Sequence, residues 1–428
     1  MESKIDPIIS IIIPTYNSEK FIFKCIESIP INKKIEVLLI DDFSKKNLKR
    51  KIDLKKFTNF KIIRNNSNLG PGMSRNLGIK KSKGRYILFL DSDDYLKKTN
   101  LLKLIHSCKI SEVDIIFCRY NKDHYPKDNL FFLKTIKNSI GRQKLLKKII
   151  SKNYPIDECW SILFKREFLI KRNILFPKNI RIAEDEYFLA KVLTEFKYAK
   201  TFNNTIYIHN DRKNSLSSDL SDFNSHLDFI KLFYLFLKLH VSKKYKLNEK
   251  KLLIRYTNVL YARIISLMFL RKNIELIKIS KLIKKNNKKE IYLVLNSLNL
   301  SHFKKLIEAK TKLKLKVLIQ NYIDNFKIKF GVPKSIFIYC KSLIARSLIK
   351  VCENLNIEII AVIDDAKIMN NKFENYKLIN FKNFKKLVRK YSFNYKIFVT
   401  NNRKLTFEKI RKKLVSYKIN TKNIIHYY

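Results

Sequence analysis

Through the first half of the chain, short apolar runs rich in β-branched residues alternate with stretches whose apolar side chains recur every three or four positions. The runs at residues 10–14, 36–40, 61–64, 86–90 and 114–118 predict strands. The periodic segments at 19–29 and 72–81 predict helices. That alternation predicts an α/β architecture, a mostly parallel sheet flanked by helices. From about residue 217 the pattern turns helical, with lysines between apolar positions at 227–239 and 252–270. From Gly331 it changes again: 335–340, 357–363 and 395–400 read as strands and 342–355 as a helix. Three regions are therefore expected: an α/β domain over 1–216, a helical region over 217–330 and a small Rossmann-like α/β domain over 331–428.

Composition narrows the class. The chain has 428 residues, 46% of them hydrophobic, with 30 phenylalanines, which excludes wholesale disorder. Its six cysteines show no CxxC spacing, so neither a zinc cluster nor a disulfide framework is signalled. The N-terminal Met-Glu-Ser-Lys-Ile-Asp-Pro lacks the order of a signal peptide, and no apolar run approaches the ~18 residues that span a bilayer. A cytoplasmic location is expected. The formal net charge of +53 would draw the chain to anionic surfaces. An anionic membrane surface at the inner face of the cytoplasmic membrane is the partner this allows, and the basic-flanked apolar face of 252–271 suits it. Codon usage favouring lysine, isoleucine and asparagine together is the competing source of the charge. No specific nucleic-acid partner is expected, because zinc-finger, RNP-type and basic-heptad patterns are missing.

Candidate chemistry collects at the ends of the predicted strands, where open parallel sheets bind ligands. After the first strand come Pro14, Thr15, Tyr16 and Asn17; after the second, Asp41, Asp42 and Ser44. After the third comes Asn68-Leu-Gly-Pro-Gly-Met-Ser-Arg-Asn-Leu-Gly78, and after the fourth Asp91-Ser-Asp-Asp94. Four of the six glycines fall between Gly70 and Gly84. No Gly-Lys-Ser/Thr follows them, so this is not a Walker loop. An aromatic face can cover a base, a carboxylate can accept from a base or ribose, and arginine can contact phosphate. Asp91 and Asp93 either cap a helix or share a hard divalent cation. Glu184 and Asp185 either begin an acidic helix turn or supply a base. Trp160, the single tryptophan, either stacks on an acceptor sugar or fills the core, and His209 reads as a structural histidine.

Four segments in order carry a family resemblance: Ile11-Ile-Ile-Pro-Thr-Tyr-Asn17, Val37-Leu-Leu-Ile-Asp-Asp-Phe-Ser44, the glycine segment 68–78, and Gly84-Arg-Tyr-Ile-Leu-Phe-Leu-Asp-Ser-Asp-Asp-Tyr-Leu96. They resemble the successive motifs of family 2 glycosyltransferases with the GT-A fold, of the bacterial polysaccharide and lipooligosaccharide type. Trp160 to Glu167, Ile182 to Phe188 and Tyr207 to Ser217 resemble the family's acceptor-side segments, so the likeness covers roughly 8–218. It implies nucleotide contacts at Pro14, Tyr16, Asp41, Asp42, Arg75 and Asp91, and a metal ligand at Asp93. It also implies a catalytic base at Asp185 beside Glu184, with Trp160 and Arg212 toward the acceptor or the diphosphate. Two positions depart from the pattern: Ser74 replaces the usual alanine, and Phe43 stands where glycine is more frequent.

The implied activity is an inverting transfer of a sugar from a nucleotide-sugar donor, a UDP-sugar, to a hydroxyl of a glycan or lipid-linked acceptor in cell-surface polysaccharide biosynthesis. The implied cofactor is a divalent metal, Mn²⁺ or Mg²⁺. An inactive nucleotide-sugar-binding scaffold is the alternative. A nucleotide-sugar oxidoreductase built on the C-terminal unit is the third reading. Against it, Cys340, Ser342 and Ala345 stand where a dinucleotide fingerprint needs glycine.

Overall fold

Strand β1 (Ile9–Thr15) is buried at every position, as is β2 (Ile35–Asp41), because helices cover both faces of the sheet they form. In this computed structural model the described residues are 6–46, 60–109, 112–122, 139–151, 156, 158–210, 223–242, 244–270, 323–324, 327–328, 330–339, 343–364, 372–373, 376–388, 395–400, 404–416 and 419–426. They fall into two compact units, one of Met1–Ile150, Ile156–Asp228 and Lys246–Leu252, the other of Ser151–Pro155, Phe229–Tyr245 and Leu253–Tyr428.

In the first unit, helix α1 (Ile22–Glu27) follows β1, and β2 leads through β3 (Phe60–Arg64) to helix α2 (Pro71–Lys81). Next come β4 (Tyr86–Phe89), β5 (Tyr95–Leu96), α3 (Lys98–Lys109), β6 (Ile115–Lys122), β7 (Ile140–Gly141) and α4 (Arg142–Ser151). After these come β8 (Ile162–Lys165), α5 (Arg166–Lys171), α6 (Glu184–Glu195) and β9 (Tyr198–His209). The sheet order is β3-β2-β1-β4-β8-β6-β9-β5, with β7 on β9. Strands β3, β2, β1 and β4 run parallel, as the alternating pattern predicts. Strand β8 enters antiparallel between β4 and β6, so the sheet is mixed.

The period of two sends alternate side chains to two cores. Ile9, Ile11, Ile13, Val37, Leu39 and Leu88 pack with Ile22 and Cys25 of α1 and Leu101 and Leu104 of α3. On the other face Phe89 meets Phe176 and Phe188, with ring centroids 5.4 and 5.8 Å away. Each fully buried residue of this kind is worth about 1.5–3 kcal/mol. Gly84 lets the start of β4 lie directly on β1: a Cβ there would stand 2.5 Å from the Ser10 amide nitrogen. Gly84→Ala is expected to destabilise the protein by about 1–3 kcal/mol, read as a lowered urea midpoint.

In the second unit most of helices α7 (Phe223–Val241) and α8 (Leu247–Leu270) realises the predicted helical pattern, with Phe236 stacked on Tyr256 at 5.6 Å. The helical expectation for 271–322 lies outside the described residues. Beyond it run β10 (Ser335–Tyr339), α9 (Leu343–Asn354), β11 (Glu358–Ile363), β12 (Lys372–Phe373) and β13 (Tyr376–Ile379). Helix α10 (Phe381–Val388), β14 (Tyr395–Val399), α11 (Lys404–Val415) and β15 (Ile424–His426) complete it. The order β12-β13-β11-β10-β14-β15 is parallel except for β12, a Rossmann-like half-sheet. The turn after β10, with Cys340 and Ser342, lies outside the described residues. Among the described residues no helix is long and apolar enough to cross a membrane.

Candidate active site

The carboxyl ends of β1, β2 and β4 bring the predicted residues to one edge of the sheet, as parallel pairing requires. Pro14 is buried within β1, and Tyr16 just beyond it is 48% exposed. Asp41 is buried at the end of β2, ion-paired with Arg64 and accepting the Ser44 amide at 2.9 Å. Asp42 is also buried. Its carboxylate accepts from the Asn65 side chain at 2.8 Å and from the amides of Leu69 and Gly70 at 2.9 and 2.7 Å. Asp42 thus ties the entry of the glycine segment to the end of β2.

Helix α2 carries Arg75 into the centre of the site. Its first turn comes close to α6 because residue 72 is glycine: a Cβ there would stand 2.9 Å from Cγ of Glu184. The Arg75 guanidinium donates through Nη1 to Glu184 Oε1 at 2.7 Å and through Nη2 to Asp91 Oδ1 at 2.8 Å. One buried cation therefore joins the end of β4 to the start of α6, 109 residues from Arg75 in sequence. Burial alone would weaken the Arg75 charge, but Cys159, Asp91, Glu184 and Asp185 around it raise its pKa well above the ordinary value. Burial pushes the Glu184 carboxyl up, with Arg75 pulling the other way. The resemblance gives Arg75 to the nucleotide; in the structure both its terminal nitrogens hold protein carboxylates.

Asp185 is half-buried in the first turn of α6, where the macrodipole favours its negative charge. Its Oδ1 accepts the Glu186 amide at 3.0 Å. Asp91 keeps 29% of its side chain exposed, and Asp93 is half-buried two residues on. Among the described residues no group of three or more His, Cys, Asp or Glu side chains is built to hold a metal by itself. Asp91 and Asp93 are of the hard oxygen-ligand type that a divalent ion takes. Mg²⁺-like ions take one or two carboxylates and complete their shell with substrate phosphate and water.

Sequence reasoning missed what holds this loop. Asp94 is buried and accepts the Tyr207 hydroxyl at 2.6 Å and the Asn210 amide at 2.7 Å, with His209 Nδ1 at 3.1 Å. The Asp91 amide donates to the same Tyr207 hydroxyl at 3.2 Å. Trp160, 5% exposed, stacks on Tyr207 at 4.6 Å and on His209 at 5.3 Å. Its ring packs behind the acidic loop, against the two side chains that contact Asp94. Arg212 lies outside the described residues. A separate cleft of about 760 Å³ runs along α2, lined by Leu69, Met73, Leu77, Leu169 and Ile170 among others, and none of the predicted site residues lines it.

An Asp-x-Asp strand end, a glycine-led helix carrying an arginine and an acidic helix start, joined through one guanidinium, are the parts the resemblance called for. The family model described as Glycosyl transferase family 2 matches residues 10–172. The chain carries a family 2 glycosyltransferase domain. This glycosyltransferase domain is similar to the uncharacterized glycosyltransferase EpsJ of Bacillus subtilis, 28% identical over 218 residues, which are 49% of this chain and 63% of that protein. It is 36% identical over 123 residues to an Escherichia coli UDP-Glc:alpha-D-GlcNAc-diphosphoundecaprenol beta-1,3-glucosyltransferase, covering 28% of this chain and 48% of that protein. The chain thus spans less than two thirds of either relative. Among solved structures, Staphylococcus aureus TarS 1–349 in complex with UDP-GlcNAc matches with a TM-score of 0.54 and 21% identity, over 74% of this chain and 92% of that one. That likeness shows the fold, a GT-A-type α/β sheet.

Proposed function

We propose that this protein is an inverting glycosyltransferase that moves a sugar from a UDP-sugar to a hydroxyl of a glycan or lipid-linked acceptor in bacterial cell-surface polysaccharide biosynthesis. The observation that carries the reading is the Arg75 bridge, because it holds a donor-side carboxylate and the candidate base helix at fixed separation. Substrate classes follow the E. coli relative, whose name gives a UDP-glucose donor and a diphosphoundecaprenol-linked acceptor.

The chemistry needs a proton acceptor and a neutralised leaving group. Asp185 takes the acceptor hydroxyl proton as that oxygen forms a bond to the anomeric carbon. The bond from that carbon to the diphosphate breaks, and attack from the opposite face inverts the anomeric configuration. A divalent ion, when bound, offsets the charge that develops on the diphosphate. Asp93 and Asp91 would hold it, and Tyr16 covers the nucleoside base. Arg75 fixes the orientation of Glu184 and Asp91, while Asp94 with Tyr207 and Asn210 keeps the acidic loop from shifting.

UDP with Mn²⁺ is expected to raise the melting temperature by about 5–10 °C at a hundred times its Kd, by mass action on the folded state. Asp93→Asn should lose most of the increment that depends on Mn²⁺. If no uridine nucleotide stabilises the wild-type protein with or without Mn²⁺, the donor class proposed here is wrong.

A further inference from the structure

Phe43 is the single aromatic among the described residues whose backbone lies in the left-handed region, at φ 67°. That conformation suits glycine or asparagine and is costly for a bulky side chain. Burial does not explain it, since 49% of the residue is exposed. The flanking hydrogen bonds do. The Asp42 amide donates to the Thr15 carbonyl at 2.8 Å, the Asn17 amide to Ser44 Oγ at 3.0 Å, and the Lys45 amide to Asn17 Oδ1 at 2.9 Å. The turns after β1 and β2 are thereby laced together on either side of their central residues. Those residues are Tyr16 and Phe43, both about half exposed.

Arg64 supports the second ring. Its guanidinium carbon stands 5.1 Å from the Phe43 ring centroid while the same group pairs with Asp41 and donates to the Ser44 carbonyl at 2.7 Å. An aromatic ring is thus held outward, on a strained backbone and against a fixed cation, at the mouth of the sheet edge where the nucleotide is proposed to lie. Strain kept at an exposed position points to ligand contact. A flat heterocycle is the ligand that half-exposed rings carried on two bonded turns accept.

We infer that Phe43, backed by Arg64, is a second aromatic contact for the nucleoside base of the donor, beside Tyr16. This rests on the reading that the cleft takes a nucleoside diphosphate.

Titration calorimetry with Mn²⁺ tests it, using UDP and inorganic diphosphate as probes against wild type, Phe43→Gly and Phe43→Asn. Both replacements tolerate positive φ, so their thermal stability should equal or exceed that of wild type. UDP should bind about 5- to 100-fold more weakly to both variants, with diphosphate binding unchanged. Equal UDP affinity in wild type and variants overturns this inference and leaves the functional reading standing. Equal loss of UDP and diphosphate affinity also overturns it, because the loop rather than the base contact would then be at fault. Unfolding of both variants would make Phe43 a packing residue and end the proposal. A wild-type protein that binds no UDP removes the functional reading itself, and the inference falls with it.

Discussion

Asp185→Asn is expected to lower sugar transfer by about 10²- to 10⁴-fold, the usual worth of a positioned general base, while UDP affinity stays near that of wild type. The side chain changes little in size, and its Oδ1 contact with the Glu186 amide can be kept by the amide oxygen. What is lost is the capacity to take a proton. Because attack of the acceptor oxygen and departure of the diphosphate are coupled, the loss should appear in kcat rather than in donor binding. Glu184→Gln is the contrasting variant: it shares the helix turn but is held by Arg75 at 2.7 Å. Steady-state kinetics on the two variants separates a base from a positioning residue.

Arg75→Met should cost about 3–5 kcal/mol of stability, since it leaves Glu184 buried without its cation and Asp91 without its partner. Methionine keeps much of the volume, so the lost charge dominates. The pH dependence has a definite sign. Burial already raises Glu184 above its ordinary 4.5, and removing Arg75 takes away the main opposing influence. A carboxyl with a raised folded pKa binds its proton more tightly folded than unfolded. The Glu184 part of the deficit is therefore full above the folded pKa, shrinks as pH falls through it, and is gone below about 4.5, the unfolded value. Urea midpoints of wild type and Arg75→Met from pH 4 to 8 check this, and the double variant with Glu184→Gln should recover part of the loss. A deficit that does not depend on pH would show that Glu184 is not the group left stranded.

The centre of the parallel half of the first sheet was legible because β1, β2 and β4 are buried at every position and read as mostly apolar runs, whereas the edge strand β3 is only partly buried. Strands β8 and β9 were not. Lys200 and Thr201 of β9 are half exposed, and its register against β6 slips near Arg119, so neither apolar continuity nor strict alternation marks it. Individual site residues were legible where they sit just beyond a strand, as Tyr16, Asp42, Asp91 and Asp93 do. Their partners were hidden by sequence distance. Nothing near Arg75 announces Glu184, and nothing near Asp94 announces Tyr207, His209 and Asn210, 113 to 116 residues on. The glycines pointed to the right place, yet what they serve is close approach. Gly72 admits Glu184, and Gly84 admits Ser10, where any Cβ would collide.

The most direct test of the central claim is release of UDP from a panel of UDP-sugars in the presence of Mn²⁺ and candidate glycan or lipid-linked acceptors. Wild type is expected to release UDP from at least one donor, with release needing the divalent ion, and Asp185→Asn to bind UDP still but release it at least about 10²-fold more slowly. Wild-type protein that binds UDP with Mn²⁺ yet turns over no donor, or an Asp185→Asn variant as active as wild type, would contradict it.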